Sequence, residues 1–400
     1  MSTHEQRIKV FEDTLAWIET DKDLSESIPV AKKNTEVFYE DDYPDFDSTR
    51  IVDTKISVTK SRSYEAAMRL HKEDPQSKIA VMNFANAFHA GGGVTKGASA
   101  QEECLCRTST LYPLLYRRTL RDTFYKHHHT LNTPKASDSL IYTEGVIICK
   151  TDDDIPQRMP KENWVTVDVI TIAAPDLRSS SNKYAALVGD GTFMNNAELF
   201  GYHVKRAIHM LTVAASKGAD TLVLGAFGCG AFQNDPEVVA RAYKVALQEF
   251  PKVFRRVEFA VYCSPKDKRN YEIFKQVLSQ RKSREIVCFA DKWRGVFLDD
   301  NFNPYAVTED QSFPEDCRSF GFDIVPDEFN RLYPGAYDNW EKLERIALQV
   351  EDVQVIGNAI FHKWRYYNHW AYSASEVADP DVKKWFVIAL DILKEVSRKE

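Results

Sequence analysis

Ile79-Ala-Val-Met-Asn83-Phe-Ala-Asn86-Ala-Phe-His-Ala-Gly91-Gly92-Gly93 passes from a β-branched, strand-like run directly into three consecutive glycines. Seven residues later Gln101-Glu102-Glu103 opens a stretch that reads as a helix, Ala98 to Tyr112. Strand, glycine loop, helix is the junction at which open α/β sheets bind their ligands. Consecutive glycines let the backbone turn through left-handed conformations and approach a ligand closely, while two adjacent carboxyls offer a proton donor and an anchor. The glycines taken alone are equally compatible with an ordinary turn.

Outward from this junction the pattern repeats. Strand-like runs occur at Lys55–Thr59, Ile79–Met82, Val146–Ile148, Val165–Ala173, Thr221–Leu224 and Glu258–Cys263. Helical periodicity covers Arg7–Glu19, where Ile8, Phe11, Leu15 and Ile18 are three or four apart, and also Ser63–Lys72, Leu199–Lys217, Pro236–Phe250 and Lys266–Gln280. Acidic, proline-containing residues 40 to 48 separate the first of these helices from the first strand-like run. The alternation predicts an α/β sandwich with the sheet covered on both faces.

A second glycine segment, Leu224-Gly225-Ala-Phe-Gly228-Cys-Gly230-Ala-Phe232-Gln-Asn-Asp235-Pro236, also lies between a strand and a helix. Asp235 as cap and Pro236 at the first helical position fix the helix start. The spacing is G-x-x-G-x-G, neither the dinucleotide fingerprint nor a Walker loop, and the backbone N–H groups of such a loop can hold a diphosphate without a basic side chain.

Charged residues are 28% of the 400-residue chain, the hydrophobic set is 44%, and no apolar run reaches membrane-spanning length. The start of the chain carries no signal-peptide stretch, and seven scattered cysteines do not make a disulfide framework, so an intracellular, reducing compartment, cytoplasmic or nuclear, is expected. Cys104 and Cys106 are read as half-buried thiols on a helix, with no second ligand cluster at zinc spacing. From Ile286 onward there are 21 acidic and 13 basic residues; with −7 overall, residues 1–285 stand near +1. Direct DNA binding is therefore not expected, and no membrane association. Residues 1–285 form one expected domain, and residues 286–400, acidic and holding five of the seven tryptophans, a smaller and mainly helical C-terminal module of unassigned role.

Within the first glycine junction Ser99 and Glu102 match a helix capping box, which would account for Glu102 structurally and leaves Glu103 without such a role. His127, His128 and His129 read as a solvated stretch. Lys96 and Arg107 flank the site, either as exposed bases or as phosphate contacts.

N-x-A-N followed by the glycine triplet resembles the first ligand loop of macrodomains, the three-layer α/β/α fold with a mixed sheet that binds ADP-ribose. The triplet, the seven-residue spacer and Gln101-Glu102-Glu103 together resemble the signature of the microbial-type poly(ADP-ribose) glycohydrolases, and the resemblance runs from Arg7 to about Gln280. It implies an intracellular glycosidase, linked to the DNA damage response, that releases ADP-ribose from poly(ADP-ribose) or ADP-ribosylated proteins by trimming chain ends. No cofactor and no metal are implied. Glu103 would be the catalytic acid, Glu102 would hold a hydroxyl of the distal ribose, and Asn86 would bind the same ribose. Gln101 and Gly91, Gly92 and Gly93 would line the substrate. Gly228, Cys229, Gly230 and Ala231 would meet the phosphates, with Phe232 against the distal ribose or packed as core. Ile172-Ala-Ala-Pro175-Asp176 resembles the strand end beside the cleft. A non-catalytic ADP-ribose reader, or a hydrolase of mono-ADP-ribosyl or O-acyl-ADP-ribose bonds, would use the same loops.

Overall fold

The computed structural model describes residues 2–47, 54–178, 196–250, 252–263, 267–279, 297–298 and 304–306. In chain order the elements are α1 (Thr3–Thr20), α2 (Lys22–Lys33), β1 (Thr35–Phe38), β2 (Lys55–Thr59), α3 (Ser63–Glu73) and β3 (Ile79–Ala85). Next come α4 (Gln101–Thr108), α5 (Leu111–Leu115), α6 (Arg118–Leu120), a π turn (Arg121–Tyr125), α7 (Lys126–Leu131), β4 (Leu140–Ile148) and β5 (Val165–Ala173). The unit is completed by α8 (Asn196–Ser216), β6 (Thr221–Leu224), α9 (Pro236–Gln248), β7 (Arg256–Ala260) and α10 (Arg269–Ser279).

Seven strands form one mixed sheet in the order β1-β4-β5-β3-β6-β7-β2. β3 pairs in parallel with β5 and with β6, and β7 in parallel with β6 and β2, while β4 runs antiparallel to β5 and to β1. Strands buried on both faces read as continuous apolar runs, and alternate residues then serve different cores. Ile79 and Val81 of β3 enter the core shared with α1, α3, α4 and α5. Ala80 and Met82 enter the core shared with α8, α9 and α10. Three layers result from this period-2 division.

The five parallel strands all end on one edge, and the loops after β3, β5 and β6 lie on neighbouring strands there. β4 runs the other way, so its start, Leu140, reaches that same edge opposite Ile172. Buried Arg206 of α8 reinforces it, donating to Ala173 O at 3.1 Å and to the Asp138 carboxylate at 3.0 Å.

The sequence pattern did not yield α2, β1, α6 or α7, and it yielded β4 only in part. α2 starts one residue after α1, capped by Asp21, which accepts from the N–H groups of Asp23 and Leu24. It contains Pro29 and buries only Leu24 and Ala31, too little for a periodic signal. β4 was expected from Val146; it begins at Leu140 because a register shift between Thr143 and Val146 interrupts its alternation. Gly145 at φ +80° occupies that shift. The expected helix Ala98 to Tyr112 is likewise two helices, separated by Ser109 and Thr110, which attach to β4.

The expected C-terminal module lies outside the described residues, except for Phe297–Leu298 and Pro304–Ala306, a short antiparallel pair. No helix among the described residues is long and apolar enough to cross a membrane.

Candidate active site

β3 delivers its last residues to the ligand-facing edge, and the chain then turns back on itself. Asn86 begins the turn: its side-chain oxygen accepts from the N–H groups of Phe88 at 2.9 Å and His89 at 3.0 Å. Gly91 and Gly92 come next at φ +68° and +53°, in the left-handed region. A Cβ on Gly92 would stand 2.5 Å from Glu103 Oε1, and one on Gly91 would stand 2.7 Å from the Tyr112 ring. Both positions need glycine for conformation and for clearance.

α4 brings its first turn against this loop. Gln101 Oε1 accepts from Phe84 N at 2.9 Å, and its Nε2 donates to Met82 O at 2.7 Å and to Ser63 Oγ at 3.0 Å. The β3–β6 ladder ends at Val81, and beyond it this side-chain amide supplies the backbone of β3 with a donor and an acceptor. Gln101, expected to line the substrate, thus has both amide hydrogens and its oxygen engaged in joining α4 to β3.

Glu102 is not a capping residue. The N-cap of α4 is Ala100 with no side-chain bond, and the expected Ser99–Glu102 box is absent because Glu102 turns inward, 3% exposed. Its Oε2 accepts from Asn86 N at 2.8 Å; its Oε1 accepts from Gly91 N at 3.3 Å and Asn83 Nδ2 at 3.4 Å. Burial pushes this carboxyl up to about 8, with the neighbouring Glu103 charge adding to the rise and the N–H donors opposing it. A carboxyl raised this far is largely protonated at neutral pH.

Glu103 is also buried, 7% exposed, but differently partnered. Oε1 accepts from Gly93 N at 2.8 Å, while Oε2 has no hydrogen-bond partner among the described residues. A buried carboxyl oxygen without a partner is costly unless a ligand atom meets it.

The second glycine loop stands at the end of β6, beside β3. Gly228, at φ +75°, is held by buried Asn234, whose Nδ2 donates to Gly228 O at 3.2 Å and to Pro175 O at 2.7 Å. This amide ties the loop after β6 to the end of β5. Cys229 N is spent on Ala226 O, but the N–H groups of Gly228, Gly230, Ala231 and Phe232 donate to no group among the described residues. Unspent amides in a glycine loop are groups that can hold an anion. Phe232 is half-buried against the core and lies under the Arg178 guanidinium at 5.1 Å, which is paired with Asp176.

Two residues that sequence reading left without a role support the site, Asn83 at the carboxylates and Asn234 at the second glycine loop. Asn83, fully buried, also donates to Thr171 Oγ1 at 3.2 Å on β5. An asparagine inside an otherwise apolar strand was the available signal. Asn234 had a weaker one, as a polar residue just before a helix cap.

Several neighbours do other work. Arg107 is not exposed: it is 2% accessible and donates to Ala98 O at 2.5 Å and to Cys104 Sγ at 3.3 Å. Lys96 is exposed. Of the expected thiol pair, Cys106 is fully buried and Cys104 half-buried. The three histidines do not form a solvated stretch as a whole: His128 is buried, bonded to Phe124 O and Ser137 Oγ, and burial pushes it down to about 4. His127 pairs with Glu40 at 2.6 Å. Among the described residues no group of three or more His, Cys, Asp or Glu is placed to hold a metal ion.

Comparison with known proteins agrees with this geometry. Residues 12–151 match the family described as microbial-type PARG, catalytic domain. The chain resembles the crystal structure of Thermomonospora curvata poly(ADP-ribose) glycohydrolase bound to the inhibitor ADP-HPD, with 30% identity, a TM-score of 0.57, and 68% of this chain and 99% of that one covered. It also resembles Deinococcus radiodurans poly(ADP-ribose) glycohydrolase in complex with ADP-ribose, with 31% identity, a TM-score of 0.54, and coverage of 63% and 96%. No functionally curated protein matches.

Proposed function

The chain belongs to the microbial-type poly(ADP-ribose) glycohydrolases, and from that premise we infer how its own residues carry the reaction. It is a glycosidase that adds water across the O-glycosidic ribose–ribose bond of poly(ADP-ribose) and releases ADP-ribose. Breaking that bond passes through an oxocarbenium-like state at C1″, eased when the departing oxygen receives a proton.

Glu103 is the residue we assign as donor. The observation that carries this is its unpartnered Oε2: Glu102 faces N–H donors from both of its oxygens, whereas Glu103 keeps one buried oxygen for a ligand. In the first step the carboxyl proton goes to the leaving ribose oxygen as the C1″–O bond breaks. Water then attacks C1″ and gives its proton to the resulting carboxylate, so Glu103 ends as it began.

Glu102 Oε2 has one donor and so retains an acceptor position for a ribose hydroxyl. Asn86 has its oxygen committed to the turn, which leaves its NH2 group to the same ribose. The diphosphate lies against the amides of Gly228, Gly230 and Ala231, an uncharged cradle in keeping with the near-neutral charge of this part of the chain. Phe232, half-buried at the end of that loop with Arg178 over its ring, is the residue we assign beside the distal ribose.

The test is Glu103→Gln, which keeps size and hydrogen bonding to Gly93 but holds no acidic proton. Release of ADP-ribose from poly(ADP-ribosyl)ated protein is expected to fall about 10²- to 10⁴-fold, with ADP-ribose binding retained. Mono(ADP-ribosyl)ated protein serves as the second substrate. Wild-type-like turnover by the variant would remove Glu103 from the role.

A further inference from the structure

We propose that the basic, tyrosine-bearing strip from α5 to α7 holds the part of the poly(ADP-ribose) chain that lies beyond the scissile bond, the leaving side. The proposal rests on the glycohydrolase reading above and concerns a surface that reading does not use.

The strip adjoins the first glycine loop at both of its ends. At one end the Tyr112 ring packs on Gly91, and Tyr116 stacks on Tyr112 with centroids 5.3 Å apart and planes 10° from parallel. Tyr116 is 70% exposed. At the other end His129 of α7 lies 5.2 Å from the Phe88 ring and 6.0 Å from His89, both in that loop. Between Tyr116 and Lys126 the chain has four basic residues, Arg117, Arg118, Arg121 and Lys126, against Asp122 alone. Arg118 and Arg121, with side chains 85% and 70% exposed, both reach that one carboxylate, so it offsets one of them. In a part of the chain whose charge is otherwise close to balanced, this is a local concentration of positive charge.

The sheet gives the direction. The diphosphate loop comes after β6, on one side of β3. The strip is tied to the other side: Thr110 N donates to Ile147 O of β4 at 3.0 Å, and His128 meets Ser137 just before β4 begins at the ligand-facing edge. A terminal ADP-ribose unit with its diphosphate at the β6 loop and C1″ at Glu103 therefore sends the rest of the polymer toward the strip. That polymer has two phosphate charges and one adenine per unit. An exposed stacked tyrosine with flanking arginines is the combination that retains such a chain without reading a sequence.

The experiment uses Tyr116→Ala, Arg118→Glu and Arg121→Glu in the full chain, with two substrates: long poly(ADP-ribose), and ADP-ribose bearing a small aryl ether at C1″. Loss of the stacking face is expected to raise KM for the polymer about 5-fold or more without changing kcat. Each charge reversal should lower the slope of log affinity against log salt by about 0.7 per lost phosphate contact. Turnover of the aryl ether should be unaltered. An unchanged polymer KM, or equal losses on both substrates, overturns the proposal. Labelled polymer binding to Glu103→Gln protein, with and without the three substitutions, reads the surface independently of turnover, and equal binding also overturns it. Failure of the wild type to release ADP-ribose would instead strike the glycohydrolase reading.

Discussion

Two neighbouring glutamates occupy one helix turn, and their different partners divide their work. Glu102 is set among donors, Glu103 keeps one oxygen open, and Gly92 is the residue that lets Glu103 come so close. Gly92→Ala adds a methyl 2.5 Å from Glu103 Oε1 at φ +53°, so the carboxyl must move. The expected outcome is a fall in kcat on the order of 10²-fold, the usual effect of about 1 Å of misplacement, with a stability loss of about 1–2 kcal/mol by urea titration. Glu102 predicts a pH effect. Its carboxyl rises from an ordinary 4.5 to about 8 on folding, so across that window the native protein holds a proton that the unfolded chain has lost. Stability from this source is present below pH 4.5 and is lost as pH climbs toward 8. Melting curves at pH 5 and pH 8.5 should show a smaller downward change for Glu102→Gln than for the wild type, whatever the variant's absolute Tm. The sequence marked both glutamates, but the capping box it offered as another account of Glu102 does not form, because such a match does not reveal which way the side chain turns.

Elements matter here through what joins their ends. α4 is tied to β3 by the Gln101 amide and by the Asn83–Glu102 contact, and the β6 loop is tied to β5 by Asn234. Asn234→Ala leaves Pro175 O without that donor in a buried place, which costs about 1–3 kcal/mol. Calorimetry should record a lower Tm, and titration with ADP-ribose a weaker Kd, because the same side chain holds the glycine loop proposed to meet the diphosphate. Both strand-to-helix junctions were legible from glycine, proline and apolar runs. The ties were not, since a glutamine or asparagine that completes a backbone ladder looks in sequence like any polar residue. α2 and the first half of β4 were missed for a related reason: a proline and a bulge glycine blur the periods by which elements are read.

At the scale of the whole molecule, the sheet order places β3 between β5 and β6 and so brings together residues 83–103, 172–178 and 225–235 on one edge. The Thermomonospora structure is matched over 99% of its length by 68% of this chain, and the sequence motifs place the end of the resemblance near Gln280. A fragment of residues 1–280 is therefore expected to fold, giving one cooperative melting transition, and to release ADP-ribose from poly(ADP-ribose). A fragment that folds but is inactive would assign residues beyond 280 an essential part. By itself the sequence determined the strand and helix runs, the two glycine loops, the pair of glutamates and the family they resemble, because each is a local pattern of residue types. Only the tertiary structure decided which glutamate has an open oxygen, that Gln101 and Arg107 belong to the scaffold, and that one of three adjacent histidines is core. Those outcomes depend on which groups from distant segments become neighbours once water is excluded, and burial and hydrogen-bond partners exist only after the chain has closed.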